Sequence, residues 1–191
     1  MWDTDAMKKR LARILYEKSY MEGDFTLSSG RKSDYYFDCR QSSLNPEGAW
    51  LIGSIFLEML LGLNIDAVAG MTMGADPLVT ATSVVAFHKG IPLPALIVRK
   101  EAKGHGTASA VEGLANVGKG ARVIVLEDVV STGGSVLKAC KRVTEAGLLV
   151  AGVFCILNRE EAGSKEAFAA AGHELRSIFT RPELVALAHE A

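Results

Sequence analysis

The sequence predicts an α/β fold: a mostly parallel, five-stranded central sheet with helices on both faces. Three observations lead there. From residue 66 onward, short continuously apolar segments alternate with stretches of helical spacing, as strands buried on both faces and joined by crossover helices do. Hydrophobic residues make up 49% of the 191 residues, enough to fill the core of one domain of ordinary size. No apolar run reaches the roughly 18 to 20 residues that span a bilayer.

The elements follow in order. Residues 4–20 have the apolar spacing of a helix, with basic residues toward its end, where the helix dipole favours them. Residues 24–40, "DFTLSSGRKSDYYFDCR", read as two short strands around a Ser-Gly turn. Asn45-Pro46 opens a helix running to about Leu61. The alternation then begins. "DAVAG" (66–70) is a buried strand followed by a helix over 76–88, and "PALIVRK" (94–100) is a second strand. "ARVIVLED" (121–128) is a third, followed by a helix over 133–146. "AGVFCILNR" (151–159) is a fourth, followed by an Ala-rich helix over 163–171. "ELRSIFT" (174–180) is a fifth, and a closing helix starts at Pro182. Between the second and third strands, residues 101–120 lack a core pattern, and their middle reads as a flexible flap or hairpin. The whole chain, 1–191, reads as a single domain, with a small N-terminal portion of about 1–45 and a core of about 46–191.

Composition narrows the function. A formal net charge of −1 argues against a nucleic-acid binder working by bulk charge. The N-terminus places acidic residues before basic ones and lacks a long apolar segment, so it does not read as a signal peptide, and no membrane partner is expected. Cys39, Cys140 and Cys155 are scattered and form no CxxC, which speaks against a zinc site or a disulfide framework; the cytoplasm is the expected compartment.

Ligands of parallel sheets bind beyond the carboxyl ends of the strands, which directs attention to Gly70–Asp76, Arg99–Ser109, Glu127–Ser135 and Asn158–Glu160. In "VIVLEDVVSTGGS" (123–135) an apolar strand ends in Glu127 and Asp128, passes through Val129 and Val130, and enters a turn of Ser131, Thr132, Gly133, Gly134 and Ser135. Turn amides and a helix N-terminus suit a phosphate monoester, and the hydroxyls of Ser131, Thr132 and Ser135 add donors. The two carboxylates would repel a bare phosphate, but they can accept from ribose hydroxyls or hold magnesium through water. Together these features point to a ribose phosphate. The plain alternative is an exposed acidic strand end with an ordinary N-cap at Ser131 or Ser135. In "IVRKEAKGHGTAS" (97–109), Arg99, Lys100 and Lys103 bring three cations within five residues and His105 follows, a set that could hold a departing pyrophosphate; the alternative is a solvated basic loop. Arg159, at the end of the fourth strand, could pair with a carboxylate ligand or simply with Glu160 or Glu161. "GLANVGKGA" (113–121) approaches a nucleotide-binding P-loop, but Gly120 replaces the required Ser/Thr and the segment precedes a strand, so it reads as a turn.

The string "VIVLEDVVSTGGS" resembles the 5-phosphoribosyl-1-pyrophosphate (PRPP) motif of the type I phosphoribosyltransferases. The Arg99-Lys100, Lys103, His105 order resembles the catalytic loop of the orotate branch. "FTLSSGRKSDYYFD" (25–38) is similar to that branch's N-terminal hood, and "GMTMGADPLVTA" (70–81) to its pyrophosphate segment. Ser28 stands where some members carry a lysine, with Arg31 or Lys32 available in its place. Thr72 and Met73 stand where some carry Tyr-Lys. The resemblance implies the type I phosphoribosyltransferase fold with an N-terminal hood, PRPP and orotate as substrates, and Mg²⁺ held mainly through PRPP and water. It also implies a homodimer with shared active sites. Catalytic roles then fall to Lys103, His105 and Asp128. Ribose is expected at Glu127 and Asp128, the 5′-phosphate on the turn 131–135, and orotate at Ser131 and Arg159, with Val129 and Val130 also counted among the substrate-binding residues. Pyrophosphate is expected at Lys103, His105 and Arg99 and Lys100 of the partner subunit. The alternatives are transfer to another base, or a PRPP-sensing regulator without turnover.

Overall fold

The computed structural model describes residues 3–26, 32–101 and 110–190. Helix α1 (Thr4–Ser19) starts where Asp3 accepts a 3.0 Å hydrogen bond from the Ala6 amide. Strands β1 (Tyr20–Thr26) and β2 (Lys32–Phe37) form a separate antiparallel pair. A four-residue helix, α2 (Arg40–Ser43), follows, too short to leave a periodic signal in the sequence. Helix α3 (Pro46–Leu60) begins as expected: the Asn45 side chain accepts from the amides of Glu47 and Gly48, and Pro46 occupies the first turn.

The central sheet comprises β3 (Ala67–Met71), β4 (Ala95–Val98), β5 (Val111–Glu112), β6 (Arg122–Val130), β7 (Leu149–Asn158) and β8 (Leu175–Thr180). Their spatial order is β5-β4-β3-β6-β7-β8. The five expected strands are present and mutually parallel. The sheet nevertheless has six strands, because the chain returns along the free edge of β4 and pairs antiparallel with it as β5, Ile97 opposite Glu112 and Val98 opposite Val111. Two residues are too few for alternation to show in the sequence. After β5, Leu114–Asn116 form one 3₁₀ turn, in line with the turn reading of 113–121.

Helices α4 (Asp76–His88), α5 (Gly134–Glu145), α6 (Ser164–Ala170) and α7 (Arg181–His189) connect or close the strands. Along β6 successive side chains enter different cores, as the two-residue strand period requires. Ile124 and Leu126 pack with α1, α3, α4 and α7 residues such as Leu11, Phe56, Leu78 and Leu184. Val123 and Val125 pack with Val136, Ala139 and Val143 of α5 and Phe168 of α6. All three cysteines are free and buried, and burial pushes the Cys140 thiol up to about 12. Among the described residues no helix is long and apolar enough to cross a membrane.

Candidate active site

The sheet order places a topological switch point between β3 and β6: from β3 the chain moves outward to β4, then returns to the other side of β3 and continues outward through β7 and β8. A crevice opens beyond the strand ends at such a point. There the segment after β3 meets the end of β6 at close range. A Cβ built on Gly74 would lie 2.7 Å from Asp128 Oδ2, so the glycine leaves room for the carboxylate where it stands.

Glu127 is 6% exposed. Its Oε1 accepts from the Asp128 amide at 3.2 Å, and its Oε2 is buried without a partner among the described residues. Burial, reinforced by the neighbouring Asp128 charge, pushes the Glu127 carboxyl up to about 8. Asp128 Oδ1 accepts from the Val129 amide at 2.7 Å. Asp128 is partly exposed, so the first carboxylate of the pair lies inside the protein and the second faces the crevice boundary.

Val130 ends β6, and Ser131, Thr132 and Gly133 turn the chain into α5. The residue preceding α5 is Gly133, in the left-handed region at φ 86°, and no side chain caps the helix. Neither Ser131 nor Ser135 therefore acts as the N-cap. The first amides of α5 remain available to an anion, and the helix dipole favours one there. Gly133 is also held against Phe168, which a Cβ would approach to 2.7 Å.

Strand register brings Arg159 to the same edge. Val130 lies opposite Asn158, and the Arg159 amide donates to the Val130 carbonyl at 2.8 Å, so Arg159 and Ser131 leave adjacent strands side by side. The Arg159 guanidinium donates to Ser33 Oγ at 2.9 Å, lies 4.2 Å from the centroid of the Tyr35 ring and pairs with Glu161 at 3.4 Å. The ion pair with Glu161 is thus formed, and it coexists with contact to the β1–β2 hairpin. Lys32, Ser33, Asp34, Tyr35, Arg159 and Arg181, with Glu161, line a cleft of about 270 Å³ between that hairpin and the strand ends. A wider cavity of about 730 Å³ runs along α6 and takes no residue from β6 or its turn.

Arg99 follows β4; its amide bonds to Ala110 and its side chain pairs with Glu112 at 3.2 Å. Arg142 of α5 donates to the Lys100 carbonyl. Arg99 and Lys100 share a cleft of about 430 Å³ with Thr72, which donates to Asp76 at 2.8 Å. Lys103 and His105, like Ser28 and Arg31, lie outside the described residues; Lys32 donates to Thr26 at 2.9 Å. Among the described residues no three His, Cys, Asp or Glu side chains gather as a metal site.

Sequence reasoning singled out neither Gly74, Ser33 and Tyr35 as individual site residues nor Arg181 and Asp34 at all. Gly74 carried a signal, since a glycine two residues before an Asp-Pro helix start marks a close approach. Arg181 carried none beyond its place ahead of Pro182.

The chain matches the model of the phosphoribosyl transferase domain over residues 41–174. It is 51% identical over 180 residues to an orotate phosphoribosyltransferase of Thermosynechococcus vestitus, covering 94% of each chain. It is 46% identical over 182 residues to one from a Nostoc species, covering 95% of this chain and 87% of the relative. Its fold superposes on the crystal structure of Mycobacterium tuberculosis orotate phosphoribosyltransferase in complex with PRPP with a TM-score of 0.77, at 33% identity, over 94% of this chain and 99% of the other.

Proposed function

The chain belongs to the phosphoribosyl transferase family and, within it, to the orotate phosphoribosyltransferases, and from that premise we propose how its residues divide the reaction. The reaction moves the phosphoribosyl group of PRPP to orotate, giving orotidine 5′-monophosphate and pyrophosphate, a step of pyrimidine synthesis. One observation supports the assignment of parts most strongly: the Glu127–Asp128 pair and an uncapped helix N-terminus stand at the two ends of one short connection, beside Gly74 at the switch point.

In our reading, residues 131–135 receive the 5′-phosphate through main-chain amides and the hydroxyls of Ser131, Thr132 and Ser135. Glu127 and Asp128 accept from the ribose hydroxyls and lie close to the positive charge that develops on the sugar as the bond to pyrophosphate breaks. Arg159 and Ser131 orient orotate, whose ring nitrogen is the nucleophile, so no side-chain nucleophile is needed. Lys103 and His105 face the leaving pyrophosphate, joined by Arg99 and Lys100 of the partner subunit.

We also infer dependence on Mg²⁺. The donor set suits it once Glu127 ionises: a buried oxygen of its carboxyl lacks a partner among the described residues, Asp128 stands beside it, and a cation would draw off the proton that burial holds there. Two carboxylates are too few for an all-protein site, so the remaining ligands would be PRPP oxygens and water. When bound, the ion neutralises charge accumulating on pyrophosphate. A homodimer fits the exposure of Val84 and Phe87, three residues apart on α4. The three unbridged cysteines suit a cytoplasmic setting. We treat residues 1–191 as one functional domain in which β1–β2 forms the hood.

The direct test follows orotate absorbance after PRPP is added in the presence of Mg²⁺. Absorbance should fall as orotidine 5′-monophosphate forms and should hold steady without PRPP. No loss of orotate over hours at micromolar enzyme would refute the reading.

A further inference from the structure

The hood hairpin shares no main-chain ladder with the central sheet. A lone two-stranded pair is marginal by itself, so its pose over the strand ends depends on side-chain anchors. Tyr20, Tyr35 and Phe37 pack into the core, and Arg181, the first residue of α7, supplies a polar anchor. Its Nη1 and Nη2 each reach one oxygen of Asp34 at 2.9 Å. Its Nε and Nη2 also donate to Tyr20 Oη at 3.2 and 3.0 Å, and its guanidinium lies 4.1 Å from the centroid of the Tyr35 ring. One side chain therefore grips both hood strands, and a two-pronged guanidinium–carboxylate pair fixes orientation as well as distance.

The residues that Arg181 fixes are the neighbours of those that hold Arg159. Ser33 precedes Asp34 and accepts from Arg159; Tyr35 follows it and carries both guanidiniums near its ring. Three consecutive residues of β2 thus lie between two arginines arriving from the ends of β7 and β8. We infer that Arg181 is a positioning residue for the acceptor base: it sets β2 so that Ser33 and Tyr35 aim the Arg159 guanidinium. The inference rests on the proposed role of Arg159 in holding orotate. The Asp34 side chain is 71% exposed, so solvent screens the pair and its worth lies in geometry more than in stability.

The test compares R181M, R181K and D34N in the full chain, measuring KM for each substrate, kcat and thermal midpoint. R181M should raise KM for orotate about tenfold, since small misplacements of a substrate-positioning group are costly, while KM for PRPP stays within about twofold. R181K keeps the charge but loses the fork, and should retain most of the defect. D34N should shift KM for orotate in the same direction by a smaller factor. Combining R181M with D34N should add nothing to R181M alone. Should R181M fail to fold, D34N alters only an exposed carboxylate and carries the test. KM for orotate within twofold of wild type in R181M and D34N, or equal rises for both substrates, would overturn the role of Arg181 alone. A wild-type protein that leaves orotate untouched would instead remove the active-site reading beneath it.

Discussion

Gly74 and Asp128 meet across the boundary between β3 and β6, so closely that a methyl group on Gly74 would stand 2.7 Å from Oδ2 of the carboxylate. The contact joins the two segments that flank the substrate in the proposed function. Gly74→Ala therefore pushes the Asp128 carboxylate aside, and because the clash falls on the end of a partly exposed side chain rather than on backbone, the fold should lose little stability. In the proposed mechanism Asp128 meets the ribose of PRPP, so the variant should raise KM for PRPP about tenfold and change KM for orotate less. Steady-state kinetics with each substrate varied in turn would check this. An unaltered KM for PRPP would separate Asp128 from the ribose.

Glu127 makes stability depend on pH in a stated direction. Its carboxyl is raised from 4.5 to about 8 by burial and by the charge of Asp128, so the folded protein holds that proton more tightly than the unfolded chain does. The contribution is complete below the unfolded value near 4.5, declines as pH rises and is lost by about 8. Its size is on the order of a few kcal/mol. Glu127→Gln has no proton to release and should gain stability relative to wild type between pH 5 and pH 8. Urea unfolding of both proteins at the two pH values measures the difference, which belongs to Glu127 together with the adjacent Asp128. Parallel pH profiles would show that Glu127 is ionised in the free protein.

Lys103 is assigned to the leaving group, already anionic in PRPP, which gains a further negative charge as the glycosidic bond breaks. A group that acts there lowers the barrier more than it tightens the ground state. Lys103→Ala should cut kcat by about a hundredfold or more, with KM for PRPP moving severalfold at most. Single-turnover rates would exclude a mere change in product release. A loss confined to KM would make Lys103 a substrate anchor instead.

Much of this site was legible in the sequence because its parts are local. The carboxylates, the turn and the start of α5 lie within nine consecutive residues, and the alternation of Val123 and Val125 with Ile124 and Leu126 marks a strand between two helical layers. The relationships that needed the fold are those between distant segments. Asp34 and Arg181 are 147 residues apart, and nothing in either neighbourhood points to the other. The proximity of Ser131 and Arg159 follows from the β6–β7 register, which apolar strands leave unstated in their sequence. β5 escaped detection for a different reason: two residues cannot display a period of two, and their pairing is dictated by the free edge of β4.

The proposed sharing of active sites between subunits makes a prediction that no single variant can test. If Lys100 serves the neighbouring subunit while Asp128 serves its own, the K100A and D128N homodimers are each defective at both sites. A mixed dimer then has one site with both defects and one with neither. Random reassortment makes half of the dimers mixed, each with one intact site, so the mixture should recover about a quarter of wild-type activity. Lys100 is exposed and its main-chain carbonyl is tied down by Arg142, which leaves the side chain rather than the backbone to do the reaching. Co-refolding equal amounts of the two variants, followed by an assay of orotate loss, provides the measurement. Activity equal to the sum of the separate variants, in a preparation shown by mass spectrometry to contain mixed dimers, would place Lys100 and Asp128 in the same subunit's site.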